Sequence, residues 1–385
     1  MPHLRAFPSR AAGSAVLAAL LLLAALTGCA SAAPPKHARR AAAFAPPPVR
    51  HVFVVVLENE NAATTFGRRS KMRFLARRLV RRGAFLPQYY GVAHASLPNY
   101  LAMVSGQAPN PATQVDCPVY TDVQPGTSAA DGQVLGSGCV YPASVRTIAD
   151  QLEATGRTWK AYNEDMGDDR ARDGGATCAH PALGSPDTAF HASARDQYAT
   201  RHNPFVYFHA ITDRAACAQR DVSLRSLAHD LRRRATTPNF AFVTPDLCHD
   251  GHDRRCADGG PGGPAGVQRF LRRWVPRITR SPAYRRDGLL AILFDEAEHD
   301  ARACCAEPTG PNTDRPGSYG PGGGRTGAVL LSRFIRPGTR TSQAYNHYSF
   351  LRSLEDLFGL AHLGFAGADG LRPFGRDVYT RPRGR

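Results

Sequence analysis

The apolar run VFVVVL, Val52 to Leu57, ends without transition in Glu58-Asn59-Glu60-Asn61. A run of that length without polar alternation is the pattern of a strand buried on both faces, as in a parallel sheet covered by helices on each side. Two more runs end the same way: Phe240 to Thr244 before Pro245-Asp246, and Leu289 to Phe294 before Asp295-Glu296. Ligands of open α/β sheets bind beyond the carboxyl ends of the strands. The three runs therefore deliver oxygen-bearing side chains to one rim.

The rest of the chain fits this frame. Strand-like and helix-like segments alternate from Val52 onward, which predicts an α/β fold with a mostly parallel central sheet and helices on both faces. Predicted strands are Val52 to Leu57, Thr158 to Tyr162, Phe240 to Thr244, Leu289 to Phe294 and Ala328 to Leu331. Predicted helices are Lys71 to Arg82, Leu97 to Ser105, Val145 to Thr155, Leu224 to Arg233, Ala265 to Thr279 and Tyr348 to Phe358. Ser144 is placed to cap a helix start, and Gly83, Gly106, Gly156 and Gly359 to end helices.

Ahead of the first strand, His3, Arg5 and Arg10 precede an apolar run from Ala15 to Leu26 and then Thr27-Gly28-Cys29. The run is short for a bilayer span and has the layout of an export signal. "LTGC" resembles a bacterial lipoprotein signal, so residues 1–28 are expected to be a signal peptide and Cys29 a lipidated membrane tether; an ordinary signal cut nearby is the alternative. Residues 29–50 are Ala/Pro-rich and read as a spacer, leaving 51–385 as the catalytic domain. Eight cysteines follow Cys29, an even number that in an exported chain predicts disulfides. Sequential pairing is expected, with Cys304 and Cys305 forming a vicinal bridge or pairing elsewhere.

The formal charge is +16, nearly all from arginine. Such a surface suits phospholipid headgroups, nucleotides or acidic polymers, although biased codon usage accounts for it equally well. In RRSKMRFLARRLVRRG the apolar residues share one helical face, which predicts a packed helix with a wet basic side and no specific nucleic-acid partner.

Glu58, Asn59, Asp295 and Glu296 are oxygen donors, and clustered carboxylates repel unless a cation or proton lies among them. A hard divalent ion, Mg2+, Ca2+ or Mn2+, suits that set, and one ion is expected. Glu60-Asn61 offers a competing register. In YYGVAHASLPNYLAMVSG, Ser96 precedes Leu97-Pro98 and so begins a helix, where free N–H groups favour a phosphate oxyanion or where Ser96 is simply a cap.

HASLPNYLAMVSG resembles the nucleophile segment of the alkaline phosphatase superfamily. With VVVLEN, VTPDLCHDGHD, LLAILFDEAEHD and YNHYSFLRSLEDLFGL, the chain after Val52 resembles the bacterial phosphoesterase family of secreted acid phosphatases and phospholipases C. The resemblance implies an alkaline-phosphatase-like fold with long loops, here stapled by disulfides. It implies metal binding by Glu58, Asn59, Asp295 and Glu296, with Ser96 as nucleophile and Asn99 holding phosphoryl oxygens. His94, Asp246, His249, His252, Asp253 and His347 fall on motif positions; His252 or His347 is the expected general acid, the others substrate contacts. Ala95 stands where proline is common, and ENENAATTFG replaces the phospholipase-type ENRSFDH. The resemblance therefore favours a phosphatase of phosphomonoesters, including phosphatidylinositol 3-phosphate or another anionic lipid, over a phospholipase C-type phosphodiesterase. A third reading is a non-catalytic lipoprotein that binds polyanions.

Overall fold

The computed structural model describes residues 44–381. The expected signal peptide, Cys29 and most of the spacer lie outside the described residues. Eight strands form the central sheet: β1 His51–Leu57, β2 Ala84–Leu86, β3 Trp159–Asn163, β4 Asp221–Ser223, β5 Phe240–Thr244, β6 Gly288–Phe294, β7 Ala328–Ser332 and β8 Thr339–Arg340. Their spatial order is β8-β2-β7-β6-β1-β5-β3-β4. All pairings are parallel except β7 with β6 and with β2.

The longer helices are α1 Ser96–Ser105, α2 Ile148–Ala154, α3 Gly263–Arg280, α4 Pro282–Asp287 and α5 His347–Phe358. Every residue of β1 and β6 is buried, as the unbroken apolar runs require. Alternate side chains of β1 divide between two cores. Val52, Val54 and Val56 join Leu101, Ile148 and Leu354 on one side; Phe53, Val55 and Leu57 join Leu75, Phe270 and Trp274 on the other.

Register positions the rim. Leu57 lies beside Phe294 and Val55 beside Val243, so Glu58, Asp295 and the segment after β5 leave the sheet together. The join is sealed by Asp295 N–H to the Leu57 carbonyl at 2.9 Å and Glu58 N–H to the Asp250 carbonyl at 2.9 Å.

Several boundaries differ from the sequence reading. The basic segment is a π-helix, Phe74–Leu79, followed by the 3-10 turn Val80–Arg82. Its wider turn brings Leu79 back over Phe74, so both are buried while the arginines stay exposed. Gly83 is extended, not left-handed; it is needed because a Cβ there would lie 2.0 Å from the Leu330 carbonyl oxygen. Thr147, not Ser144, caps α2, its hydroxyl and Asp150 forming a reciprocal capping box. The segment from Leu224 is a 3-10 turn, Leu224–Ser226, and a short helix, Leu227–Asp230, stopping before Arg233. The cysteines pair sequentially: Cys117–Cys139, Cys178–Cys217, Cys248–Cys256 and the vicinal Cys304–Cys305.

Glu355 on α5 is buried with Oε1 accepting the Leu363 N–H at 2.9 Å and Oε2 unpartnered. Burial raises its carboxyl from 4.5 to about 9. A folded value above the unfolded one means the contribution of the protonated form is complete below about pH 4.5 and is lost as pH rises toward 9. Glu355→Gln is expected to raise the melting temperature at pH 8 by roughly 2–4 °C and to leave it unchanged in mild acid. An equal shift at both pH values contradicts this.

Candidate active site

Asn59 turns the chain out of β1 in a left-handed conformation, φ 42°, which asparagine tolerates better than most residues. The turn places Glu58 under the start of α1. Glu58 Oε2 accepts the Ser96 hydroxyl at 3.0 Å, and Oε1 accepts the Tyr100 hydroxyl at 2.6 Å. Ser96 and Tyr100 are four residues apart on α1 and so share one helical face. Ser96 is not a cap: the start of α1 is held instead by Asp116, whose Oδ1 accepts the Leu97 N–H at 2.8 Å. The helix N-terminus expected to face phosphate is thus occupied by a carboxylate of the chain, presented beside the Cys117–Cys139 bridge.

Asp295 completes the cluster. Its Oδ1 accepts the Asn59 backbone N–H at 3.2 Å, while Oδ2 is buried without a hydrogen-bond partner. The Asn59 amide stands 2.8 Å from Glu58 Oε2 and 3.2 Å from Asp295 Oδ1 with its carbonyl oxygen facing both. Turned about its axis, the amide instead donates its NH2 to both carboxylates and bridges them. Burial raises the Glu58 carboxyl well above the usual range, and the charges of Asp295 and Asp250 add to the effect. Burial likewise lifts Asp295 to about 7.

This cluster is compatible with a metal ion, and Glu58, His202 and Asp250 also lie close enough together to hold one. Glu58 and Asp295, both buried, and the half-buried Asn59 supply oxygen donors with Ser96 Oγ alongside, a set suited to a hard divalent ion. The fourth expected donor, Glu296, is buried but drawn into an ion pair with His94 Nδ1. Its carboxyl is raised by burial and by the adjacent Asp295 and Asp116.

Several other expected residues serve different purposes. The Asn99 side chain accepts from Val92 and Ala93 N–H and donates to the Ala93 and Ala95 carbonyls, so its amide braces the loop before Ser96 and has no donor left for phosphate. His94 is braced by the Asp300 carbonyl at 2.8 Å and by Tyr319, whose ring stacks at 4.1 Å, besides its pair with Glu296. His347 is fully buried between the Tyr89 hydroxyl at 3.0 Å and the Asp295 carbonyl at 2.6 Å. Burial depresses it to about 4. With both nitrogens engaged and no access, it positions Asp295 and does not serve as general acid.

Asp246 and His249 form a separate charge cluster with Glu164 beyond β5 and β3. Burial draws His249 down, but hydrogen bonds to Asp246 and Glu164 overcome this and hold it up to about 10. Its carboxylates outnumber the one imidazolium, and Asp246, Cys248 and His249 lie close enough together to offer a second candidate ion site, although the Cys248 sulfur is engaged in a disulfide. His252 is exposed at the mouth; its Nδ1 meets Asp253 at 2.8 Å and its Nε2 lies 3.3 Å from the Arg201 guanidinium. Asp253 orients His252 and, being a carboxylate, offers phosphate no donor.

Four residues escaped the sequence reading. Tyr100 lay within the quoted LPNYL motif one turn after Ser96, and Asp250 within CHDGHD. Arg201 and His202 lie in the 3-10 turn Thr200–His202, where no periodicity marks them. His202 Nδ1 meets Asp250 at 3.1 Å, and its unpartnered Nε2 stands 3.5 Å from Glu58 Oε1. Burial lowers His202 well below its ordinary value. Arg201 is the buried positive charge facing this group; its guanidinium also bonds the Phe190 carbonyl at 2.6 Å.

The chain is 24% identical over 287 residues to the phosphate-repressible acid phosphatase of Penicillium chrysogenum, covering 74% of this chain and 55% of that protein. It is 25% identical over 316 residues to the phosphatidylinositol-3-phosphatase of Mycobacterium tuberculosis, covering 82% and 79% respectively. It spans about half the length of the fungal relatives it matches. Among solved structures, an alkaline phosphatase superfamily protein from Vibrio parahaemolyticus aligns with TM-score 0.49 at 13% identity over 87% of this chain and 74% of that one. The sequence model of the Phosphoesterase family matches residues 68–361, most of the described chain, with Glu58 and Asn59 just ahead of the match. The chain belongs to the Phosphoesterase family.

Proposed function

We propose that the protein is an exported, metal-dependent phosphatase that hydrolyses phosphomonoesters, phosphatidylinositol 3-phosphate or another anionic lipid phosphate among them, through a phosphoserine at Ser96. The observation that carries this reading is the 3.0 Å contact between Ser96 Oγ and Glu58 Oε2, made where β1 and β6 end side by side and Asp295 Oδ2 is left unpartnered. The family and its acid phosphatase relatives support the reaction class, and the Mycobacterium tuberculosis relative supports the lipid phosphate. Four disulfides support export. The signal peptide at 1–28, the tether at Cys29 and a catalytic domain over 51–385 belong to the same reading.

Glu58, Asn59 and Asp295 would hold the divalent cation, with Glu296 next to Asp295; bound there, it supplies the positive charge that makes the Ser96 alkoxide accessible. The remaining work falls to the chain. The bond from Ser96 Oγ to Glu58 fixes the nucleophile at the start of a rigid helix, with its proton directed at a carboxylate. Oγ passes its proton to Glu58 and attacks phosphorus, the bond to the leaving oxygen breaks, and His252, turned from Arg201 and protonated at Nε2, delivers a proton to that oxygen. Water then attacks phosphorus, returning a proton to His252 as the Oγ–P bond breaks, and Ser96 Oγ recovers its proton from Glu58 as phosphate leaves. Arg201, buried and charged, balances the phosphoryl oxygens through both steps.

The test is phosphate release from an aryl phosphomonoester and from the matching bis-aryl diester. The reading predicts turnover of the monoester, loss with EDTA and recovery with added Mn2+ or Mg2+. Turnover indifferent to chelator, or confined to the diester, would overturn it.

A further inference from the structure

Two arginine-rich segments far apart in sequence form one face. The π-helix Phe74–Leu79 and α3 pack side by side on the same side of the sheet, joined by the Phe74 N–H to Gln268 Oε1 at 2.9 Å. Arg78 from one segment and Arg272 from the other lie over the same Phe74 ring, 5.9 and 5.2 Å from its centroid. From Arg68 to Arg82 every charged residue is basic, and from Arg269 to Arg286 likewise. Their arginines are exposed, and among the described residues none of them forms an ion pair with a carboxylate.

Elsewhere basic and acidic residues are interspersed, and some arginines are paired: Arg214 and Arg220 with Glu153, Arg225 with Asp168 and Arg302 with Asp300; others, such as Arg146, Arg233 and Arg336, are exposed without a carboxylate partner among the described residues. What sets this layer apart is that two acid-free basic segments, 68–82 and 269–286, lie side by side, a concentration of one sign of charge that points to an anionic counter-surface. We propose that this face docks on an anionic phospholipid bilayer. Two features favour a bilayer over a polymer chain. The face is broad, about 27 Å along α3 at 1.5 Å per residue. Its concavity, beside Lys71 and Gln268, is a compact cavity of about 360 Å³ lined by six residues. The face also adjoins the candidate active site, because the short helix Ala62–Phe66 leads directly from Asn61 to Arg68. The proposal stands without the phosphatase reading, though together they bring lipid phosphate to the rim.

The test compares partitioning of the full chain onto phosphatidylglycerol-containing and pure phosphatidylcholine vesicles; the ratio cancels any contribution of an N-terminal tether common to all variants. Each basic side chain near an anionic bilayer contributes about fivefold, so Arg69→Gln, Arg73→Gln, Arg81→Gln and Arg280→Gln combined should reduce the ratio by about two to three orders of magnitude. A control with Arg214, Arg220, Arg225 and Arg372 changed to glutamine should keep it within about threefold, since those groups lie off the face. Circular dichroism and turnover of a soluble aryl phosphate monitor the fold of each variant. Equal losses in both variants, or no loss in the first, would overturn the proposal. So would a parent that binds soluble polyphosphate tightly but leaves anionic vesicles in the supernatant.

Discussion

Ser96→Ala lowers monoester turnover on the order of 10⁴-fold or more, the scale seen when a nucleophile that works as a unit with its activating groups is removed. The fold survives. Asp116, not Ser96, holds the start of α1, and Asn99 braces the preceding loop independently of the hydroxyl. The loss is one hydrogen bond to Glu58, which keeps Tyr100. That costs about 1–2 kcal/mol and lowers the melting temperature by no more than about 4 °C. Equal rates in mutant and parent remove Ser96 from the chemistry.

Glu58→Gln is expected to separate cation binding from folding. In the metal-free protein burial raises the carboxyls of Glu58, Asp295 and Asp250, and the charges of Asp295 and Asp250 raise Glu58 further. An amide at 58 removes part of that repulsion, still accepts the Ser96 or Tyr100 hydroxyl, and so preserves or raises stability without cation. The parent should gain stability with added Mn2+, about 2.7 kcal/mol at a hundredfold excess over Kd. In Glu58→Gln that gain should vanish together with monoester turnover. A variant that keeps the same Mn2+-dependent shift in melting temperature places the ion somewhere else.

What could be read in the sequence was whatever strand geometry dictates. The runs before Glu58 and Asp295 are unbroken because β1 and β6 are central strands, and neighbouring parallel strands of equal length must end side by side. Their acids therefore meet without help from any loop. The same logic gave Ser96, whose Pro98 marks the first turn of α1. Side chains that act through loops were not legible in this way. Asn99 and His347 carry motif identities, but only coordinates show that backbone groups occupy their polar atoms. His202 reaches Glu58 from a 3-10 turn with neither periodicity nor motif, and Asp116 takes the α1 terminus from a disulfide-held corner. The 74–79 π-helix was missed because a helical face is visible in sequence, whereas the width of its turn is set by packing against α3.

Diffraction at the manganese edge from crystals soaked in Mn2+ addresses the matter at its root. The geometry requires an anomalous peak within coordination distance of Glu58, Asn59 and Asp295, with the oxygen of Ser96 on its open side. An ion seated instead among Glu164, Asp246 and His249, or a rim that stays vacant in crystals of protein still active under the same conditions, would show that the strand ends do not form the catalytic centre.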